Sequence, residues 1–275
     1  KRIQYGFPVL VAGTFTINTF FIVYKGAKFL KLDDTPLWKA CAISFGIGGG
    51  VGILSYLFIN PIIFKDREER SVEDFYHTDE SVQSIHDNAE VFDTKTEHSM
   101  RYLQILTACC DSFAHGANDV ANSIGPFAAI YAIYKSGEVS KNVDMGNDAY
   151  WILSLGASGI VVGLATYGYK ILEALGTKMA KLTPSRGICI ELGAAAVIIL
   201  GSRLGWPLST THCQVGATVG VALFEGTGGV NWKLLTKTVA GWVLTLVVVG
   251  VSTAFLFAQG AYAPMVKYPS YINTT

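Results

Sequence analysis

The sequence predicts an all-α polytopic membrane protein, on three observations. Over 275 residues, 51% are hydrophobic and only 15% charged, and the mean hydropathy is +0.38. Apolar runs at 5–24, 37–60, 102–134, 150–175, 187–204 and 234–260 each approach or exceed the roughly 20 residues that a helix needs to cross a bilayer. Those runs are also continuous, whereas the strands of a membrane β-barrel alternate in hydropathy over about 10 residues.

Two spans open the chain, over 1–64, joined by the short polar "KFLKLDDTP". The second carries "GIGGGVG" (46–52), whose glycines permit close helix packing or local unwinding. Residues 65–101 form the one long polar stretch, with eleven acids against Lys65, Arg67, Arg70 and Lys95. That composition predicts a solvent-exposed loop, and the irregular spacing of His77, His86 and His98 argues against a metal site.

The segment 102–134 follows, then a polar connection at 135–149. The span 150–175 comes next, with small residues at Gly156, Gly159 and Gly163. The basic turn "GTKMAKLTPSRG" sets Lys178, Lys181 and Arg186 against Glu173 alone, which places it in the cytosol by the positive-inside tendency. Residues 187–204 and 234–260 span again. Residues 205–224, beginning "GWPLSTTHC", are expected to form a re-entrant or discontinuous helix, and 261–275 a tail.

Cys41, Cys109, Cys110, Cys189 and Cys213 lie in apolar segments without CxxC pairing and are expected as small buried hydrophobes. The sequon at Asn273 sits too near the end to favour glycosylation. No basic tract or nucleic-acid motif is present. The chain begins "KRIQYGFPVL", without methionine or secretory leader, and is expected to be part of something longer.

Three constellations carry chemistry. In "HGANDVANSIGP", Asn118, Asp119 and Asn122 offer oxygen donors suited to a small cation. A carboxylate at bilayer depth costs about 2.5–3.5 kcal/mol on insertion scales, so Asp119 should face protein or a wet cavity. Gly116, Gly125 and Pro126 predict a helix break there, and broken helices in transporters line ion sites; a polar helix–helix contact is the alternative. In "GWPLSTTHCQVG", Pro207 with Ser209, Thr210 and Thr211 marks a helix start, and three hydroxyls at a helix N-terminus suit an anion. Third, Glu191 on an apolar helix must bind a cation or proton, or pair with Arg186 or another segment. His115 and His212 lie inside the motifs as hydrogen-bonding residues. Neither motif holds Lys or Arg. Importing an anion into a negative-inside cell costs about 2.3 kcal/mol per charge per 100 mV, so a carrier needs a co-ion, and Asp119 and Glu191 can receive it.

At these residues the chain resembles the inorganic phosphate transporter (PiT) family, above all its eukaryotic, fungal-type sodium-dependent phosphate cotransporters. "FAHGANDVANSIGP" is similar to the family's GANDVANA-type signature and "GWPLSTTHCQVG" to its P-x-S-T-T-H signature. The resemblance implies two inverted repeats of about six spans, each with both signatures. This chain has one copy of each and resembles the C-terminal half, with 102–260 as the second repeat. It further implies phosphate at Asp119, Asn122, Ser209, Thr210 and Thr211. Na⁺ is implied at Asn118, Asp119, Asn122, Glu191 and Gln214, one ion being held by Asn118, Asp119 and Glu191 together. The implied function is Na⁺-coupled phosphate import by alternating access in the plasma membrane, without enzyme activity or cofactor. The N-terminal half and membrane lipid are the expected partners, with a homodimer admitted and nucleic acid not. Proton coupling and a phosphate sensor with little flux are the alternatives. An intramembrane hydrolase using Ser209, His212, Cys213, Asp119 and His115 leaves Thr210 and Thr211 without a role.

Overall fold

The computed structural model describes residues 2–23, 35–59, 61, 80–139 and 146–262. All regular structure among them is helical. His77, Asn273 and the tail beyond Tyr262 lie outside the described residues, as does most of the link between the first two spans. Four helical segments are long and apolar enough to cross a membrane: Leu37–Ile59, Asp148–Thr177, Pro184–Ser202 and Trp232–Tyr262.

Helix α1 (Arg2–Val23) and α2 (Leu37–Leu54, extended by a π-helical turn at Ser55–Ile59) pack side by side. The glycine run serves close packing. A Cβ on Gly52 would stand 2.7 Å from Ala12 Cβ and 3.2 Å from the Pro8 carbonyl, while one on Gly49 would meet nothing. Gly52→Leu is therefore expected to cost about 1–3 kcal/mol by overpacking. Gly49→Leu should leave the thermal midpoint in detergent unchanged, and the pair of unfolding curves checks the contrast.

The acidic stretch is not a plain loop. Residues Glu80–Asn88 form α3, with Val82, Ile85 and Ala89 buried. Lys181 Nζ donates to the His86 carbonyl at 3.0 Å, tying α3 to the basic turn. An i, i+3, i+7 apolar spacing inside a highly charged segment was enough to bury one face.

Helix α4 (Thr94–Ser136) has 43 residues, about 64 Å at 1.5 Å per residue, and begins before the polar stretch ends. Asp93 caps it, accepting from the Thr96 hydroxyl at 2.9 Å and the Thr96 amide at 3.0 Å. Those two bonds hold its carboxyl below the ordinary range. The predicted break at Gly125–Pro126 is absent, since Pro126 lies inside the continuous helix. A proline in a helix interior costs about 3 kcal/mol, mostly for one lost hydrogen bond, and flanking turns packed on neighbours keep the helix intact.

Helix α5 (Asp148–Gly163) continues through a π-helical turn (Leu164–Gly168) into α6 (Tyr169–Thr177). It packs on the far part of α4 through Trp151, whose ring meets those of Phe127 and Tyr131 edge-on at 6.1 and 5.4 Å. Asp148 pairs there with Lys135. Val161, Val162, Leu164 and Tyr167 are exposed, as expected of a face turned to lipid or to further protein.

Helix α7 (Pro184–Arg203) runs alongside α4 in the same direction: Ser185 donates to Glu97 at its start and Ser202 to Asn118 near its end. Gly205, at φ 72°, turns the chain, and residues 206–209 are extended. Helix α8 (Thr210–Ala222) then runs back, and Arg186 and Glu225 pair where its end meets the start of α7. The expected re-entrant element is this hairpin. Phe7, Val11, Leu103 and Ile188 form the core between α1, α4 and α7, while Ala114, Ala194, Ala195 and Ile198 form a second one beneath α8.

Asn231 through Thr275 is a separate unit. Its α9 (Trp232–Tyr262) has 31 residues, capped by Asn231 Oδ1 accepting the Leu234 amide at 3.0 Å.

All five cysteines are free. Cys109 and Cys189 are exposed on helix faces, against the expectation of burial, because α4 and α7 leave those faces uncovered.

Candidate functional site

The hairpin tip, residues 204–209, meets α4 near its middle. Asn118 lies 24 residues from Thr94 and 18 from Ser136, the ends of the helix. Asn118 Nδ2 donates to the Leu208 carbonyl at 2.9 Å, and Asn122 Nδ2 donates to the same oxygen at 3.1 Å. Ser202 donates to Asn118 Oδ1 at 3.0 Å, so the buried Asn118 is fully engaged. Pro207 keeps the tip out of helical geometry at Trp206 and Pro207, leaving the Leu208 carbonyl available to these amides.

The first turn of α8 docks on Asp119. Thr210, itself buried, donates its hydroxyl between both Asp119 oxygens, 3.0 Å from each. Ser209 is the N-cap, its Oγ accepting from the His212 amide at 3.4 Å. Ser209, Thr211 and Asn122 are exposed around this contact. The amides of Thr210 and Thr211 have no intrahelical acceptor at a helix start, and the helix dipole adds partial positive charge there. Pro126 has no amide for the Asn122 carbonyl four residues earlier, so an intact helix still frees a backbone oxygen at the site.

The other expected ligands stand elsewhere. Glu191 accepts from Thr107 and Gln104 of α4 and turns away from Arg186, its expected structural partner. Thr107 is 12 residues before Asp119, about 18 Å along the helix. Glu191 and Asp119 thus do not meet around one ion, which corrects the single Na⁺ site of Asn118, Asp119 and Glu191. Gln214, one turn beyond Thr210, lies between the two levels.

Sequence reading missed Asp111, Thr107 and Ser202. Asp111 is buried and takes His115 Nδ1 at 3.2 Å on Oδ2. Thr107, Asp111, His115, Asn118, Asp119 and Asn122 follow one another at spacings of three or four, the signal of one polar helical face. The Lys and Arg ion pairs lie away from this face: Lys135–Asp148, Lys178–Glu173 and Arg186–Glu225. Arg186 also donates to the Glu90 carbonyl at 2.9 Å, so the basic turn is less uncompensated than its composition indicates.

The arrangement offers hydroxyls and helix-start amides for an anion beside carboxylate and carbonyl oxygens for a cation. It lacks an activated nucleophile, because Ser209 serves as a cap and His212 is on the exposed side of α8.

Comparison with known proteins agrees with this division of labour. The model of the phosphate transporter family matches residues 1–253. A phosphate-repressible phosphate permease of Neurospora crassa is 41% identical over 76% of this chain and 35% of its own length. A sodium-dependent phosphate transporter 1 of Xenopus tropicalis is 37% identical over 74% of this chain and 29% of its own. A putative phosphate permease of Thermococcus kodakarensis is 42% identical over 88% and 54%. A solved structure, "The sodium-dependent phosphate transporter", superposes with a TM-score of 0.67 at 29% identity, over 88% of this chain and 53% of that one. The chain therefore spans about a third to a half of these relatives' length.

Proposed function

The chain belongs to the phosphate transporter family, a family of carriers and not of enzymes, and from that premise we propose that it supplies one half of a Na⁺-coupled symporter importing inorganic phosphate by alternating access. The observation that carries the reading is the docking of Thr210 on Asp119. It sets exposed hydroxyls and the unpaired amides of a helix start against a carboxylate, with no Lys or Arg ion pair beside them.

In this reading phosphate oxygens accept from Ser209, Thr211 and the first α8 amides, with Asn122 and Thr210 at the edge of the seat. A phosphate beside Asp119 would be repelled unless a cation sits between them. Na⁺ held by Asp119, the oxygens of Asn118 and Asn122 and the freed Asn122 carbonyl supplies that charge, and each ion makes the other's binding more favourable. Glu191 and Gln214 serve Na⁺ at a second level. Coupling follows from this mutual dependence: without Na⁺ the anion seat carries net negative charge. No cofactor beyond the cargo is required, and import places the protein in the plasma membrane.

Uptake of radiolabelled phosphate into proteoliposomes under an imposed Na⁺ or H⁺ gradient tests this. The chain is compared alone and with a first-repeat half. Na⁺-driven uptake in the combination is expected. Uptake driven by H⁺ alone would replace the coupling ion, and folded protein that binds phosphate without moving it would be a sensor.

A further inference from the structure

Among the described residues, the buried side-chain atoms that make no hydrogen bond are Ser55 Oγ, Asp111 Oδ1, His115 Nε2 and Gln214 Oε1. The last three lie in one layer between α4, α7 and α8. Thr210 on Asp119 fixes the start of α8, which then runs back along α4, so Gln214 faces the turn that carries His115 and Asp111. Cys213 and Ala217 pack on the cluster of Ala114, Ala194 and Ala195, which closes the layer. The Asp111 charge acts on Cys213, and the Glu191 charge acts on Asp111.

Asp111 is 6% exposed, and His115 satisfies only its Oδ2. A carboxylate oxygen buried without a donor is strongly unfavourable, and so is a buried amide oxygen without one. A small cation between the two oxygens removes both costs. Oxygen donors select a hard ion. No three His, Cys, Asp or Glu among the described residues are grouped to hold a metal, which leaves one carboxylate and neutral oxygens, a donor set for a weakly held monovalent ion.

We infer that Asp111 is the charged ligand of a second Na⁺ seat, completed by Gln214, two helical turns from the Asp119 seat and separate from it. This rests on the Na⁺-symport reading and divides its sodium ligands between two levels. Asn118, Asp119 and Asn122 serve the ion at the tip, and Asp111 and Gln214 serve the deeper one. Glu191 adds negative charge one layer further on.

The test uses a transport-competent protein carrying this sequence, with ²²Na⁺ binding measured in detergent and the Na⁺ activation curve of phosphate uptake in proteoliposomes. Asp111→Asn preserves shape and removes charge. It should lose one bound Na⁺ and move half-activation to at least about tenfold higher Na⁺, with a shallower slope, as loss of one charge-assisted contact requires. Gln214→Ala should shift the curve in the same direction, and it decides the matter alone if Asp111→Asn does not elute as folded protein. Unchanged Na⁺ count and unchanged activation in folded Asp111→Asn overturn the inference while leaving symport standing. A change confined to the pH profile assigns the site to a proton and overturns it as well. Wild-type protein that neither binds nor uses Na⁺ overturns the symport reading first, and this inference with it.

Discussion

Asp119→Asn is expected to lower Na⁺-driven phosphate uptake about 10- to 100-fold while leaving expression and elution profile intact. Hydrogen bonds and contacts to a charged group contribute about 1.5–3 kcal/mol, and about 1.4 kcal/mol is a factor of ten. Asparagine keeps the side-chain shape, and its Oδ1 still accepts from Thr210, so the hairpin tip stays docked. The variant thus isolates the charge from the contact. Thr210→Val does the reverse, removing the donor and keeping the carboxylate. Uptake measured across a Na⁺ series for both variants separates the roles: the Asp119 change should be felt as lost Na⁺ activation, the Thr210 change as a weakened site at every Na⁺ concentration. Equal uptake by Asp119→Asn and wild type would remove Asp119 from coupling.

Arg186→Met is expected to be the most destabilising single substitution in the hairpin, by about 3–5 kcal/mol, the usual cost of removing one partner of a buried ion pair. Arg186 is 7% exposed. Besides Glu225 and the Glu90 carbonyl it reaches Thr183 Oγ1 at 3.5 Å, and its guanidinium stands 4.5 Å from the Phe92 ring centroid. Its loss strands the Glu225 carboxylate and unties the end of the acidic stretch together. Adding Glu225→Met should recover most of the lost thermal stability, because an apolar pair of similar volume replaces a buried ion pair at little net cost. Scanning fluorimetry of the single and double variants in detergent checks this. A double variant no more stable than Arg186→Met would show that the Glu90 and Phe92 contacts carry the effect.

The helices were legible because bilayer length and apolar continuity are local properties. The spans expected at 150–175, 187–204 and 234–260 fall within two or three residues of the observed helices. The hairpin was legible from Pro207 and Ser209, whose chemistry starts a helix whatever surrounds it. What stayed hidden depends on partners far along the chain. Glu225 belongs to Arg186, Ser202 to Asn118 and Thr107 to Glu191, separations of 39, 84 and 84 residues. No spacing rule reaches that far. Pro126 misled for a related reason: its local cost is real, but the packing that outweighs it is tertiary. Asp111 is different, since its position four residues before His115 was visible and only the habit of reading the signature motif alone passed over it.

Arg186 also bears on how the hairpin can move. A two-legged element joined only at its tip can open like tweezers, each leg swinging separately. Fastened at the feet through Arg186 and Glu225 as well, α7 and α8 become a closed loop of covalent chain and ion pair, and scissoring is removed from their repertoire. The remaining motion is that of a stiff lever, pivoting about its foot or sliding as one piece against α4. A lever anchored beside α3 makes the charged segment that reads as filler the fulcrum, so tension applied there would be felt about 30 Å away, at 1.5 Å for each of the 20 residues of α7.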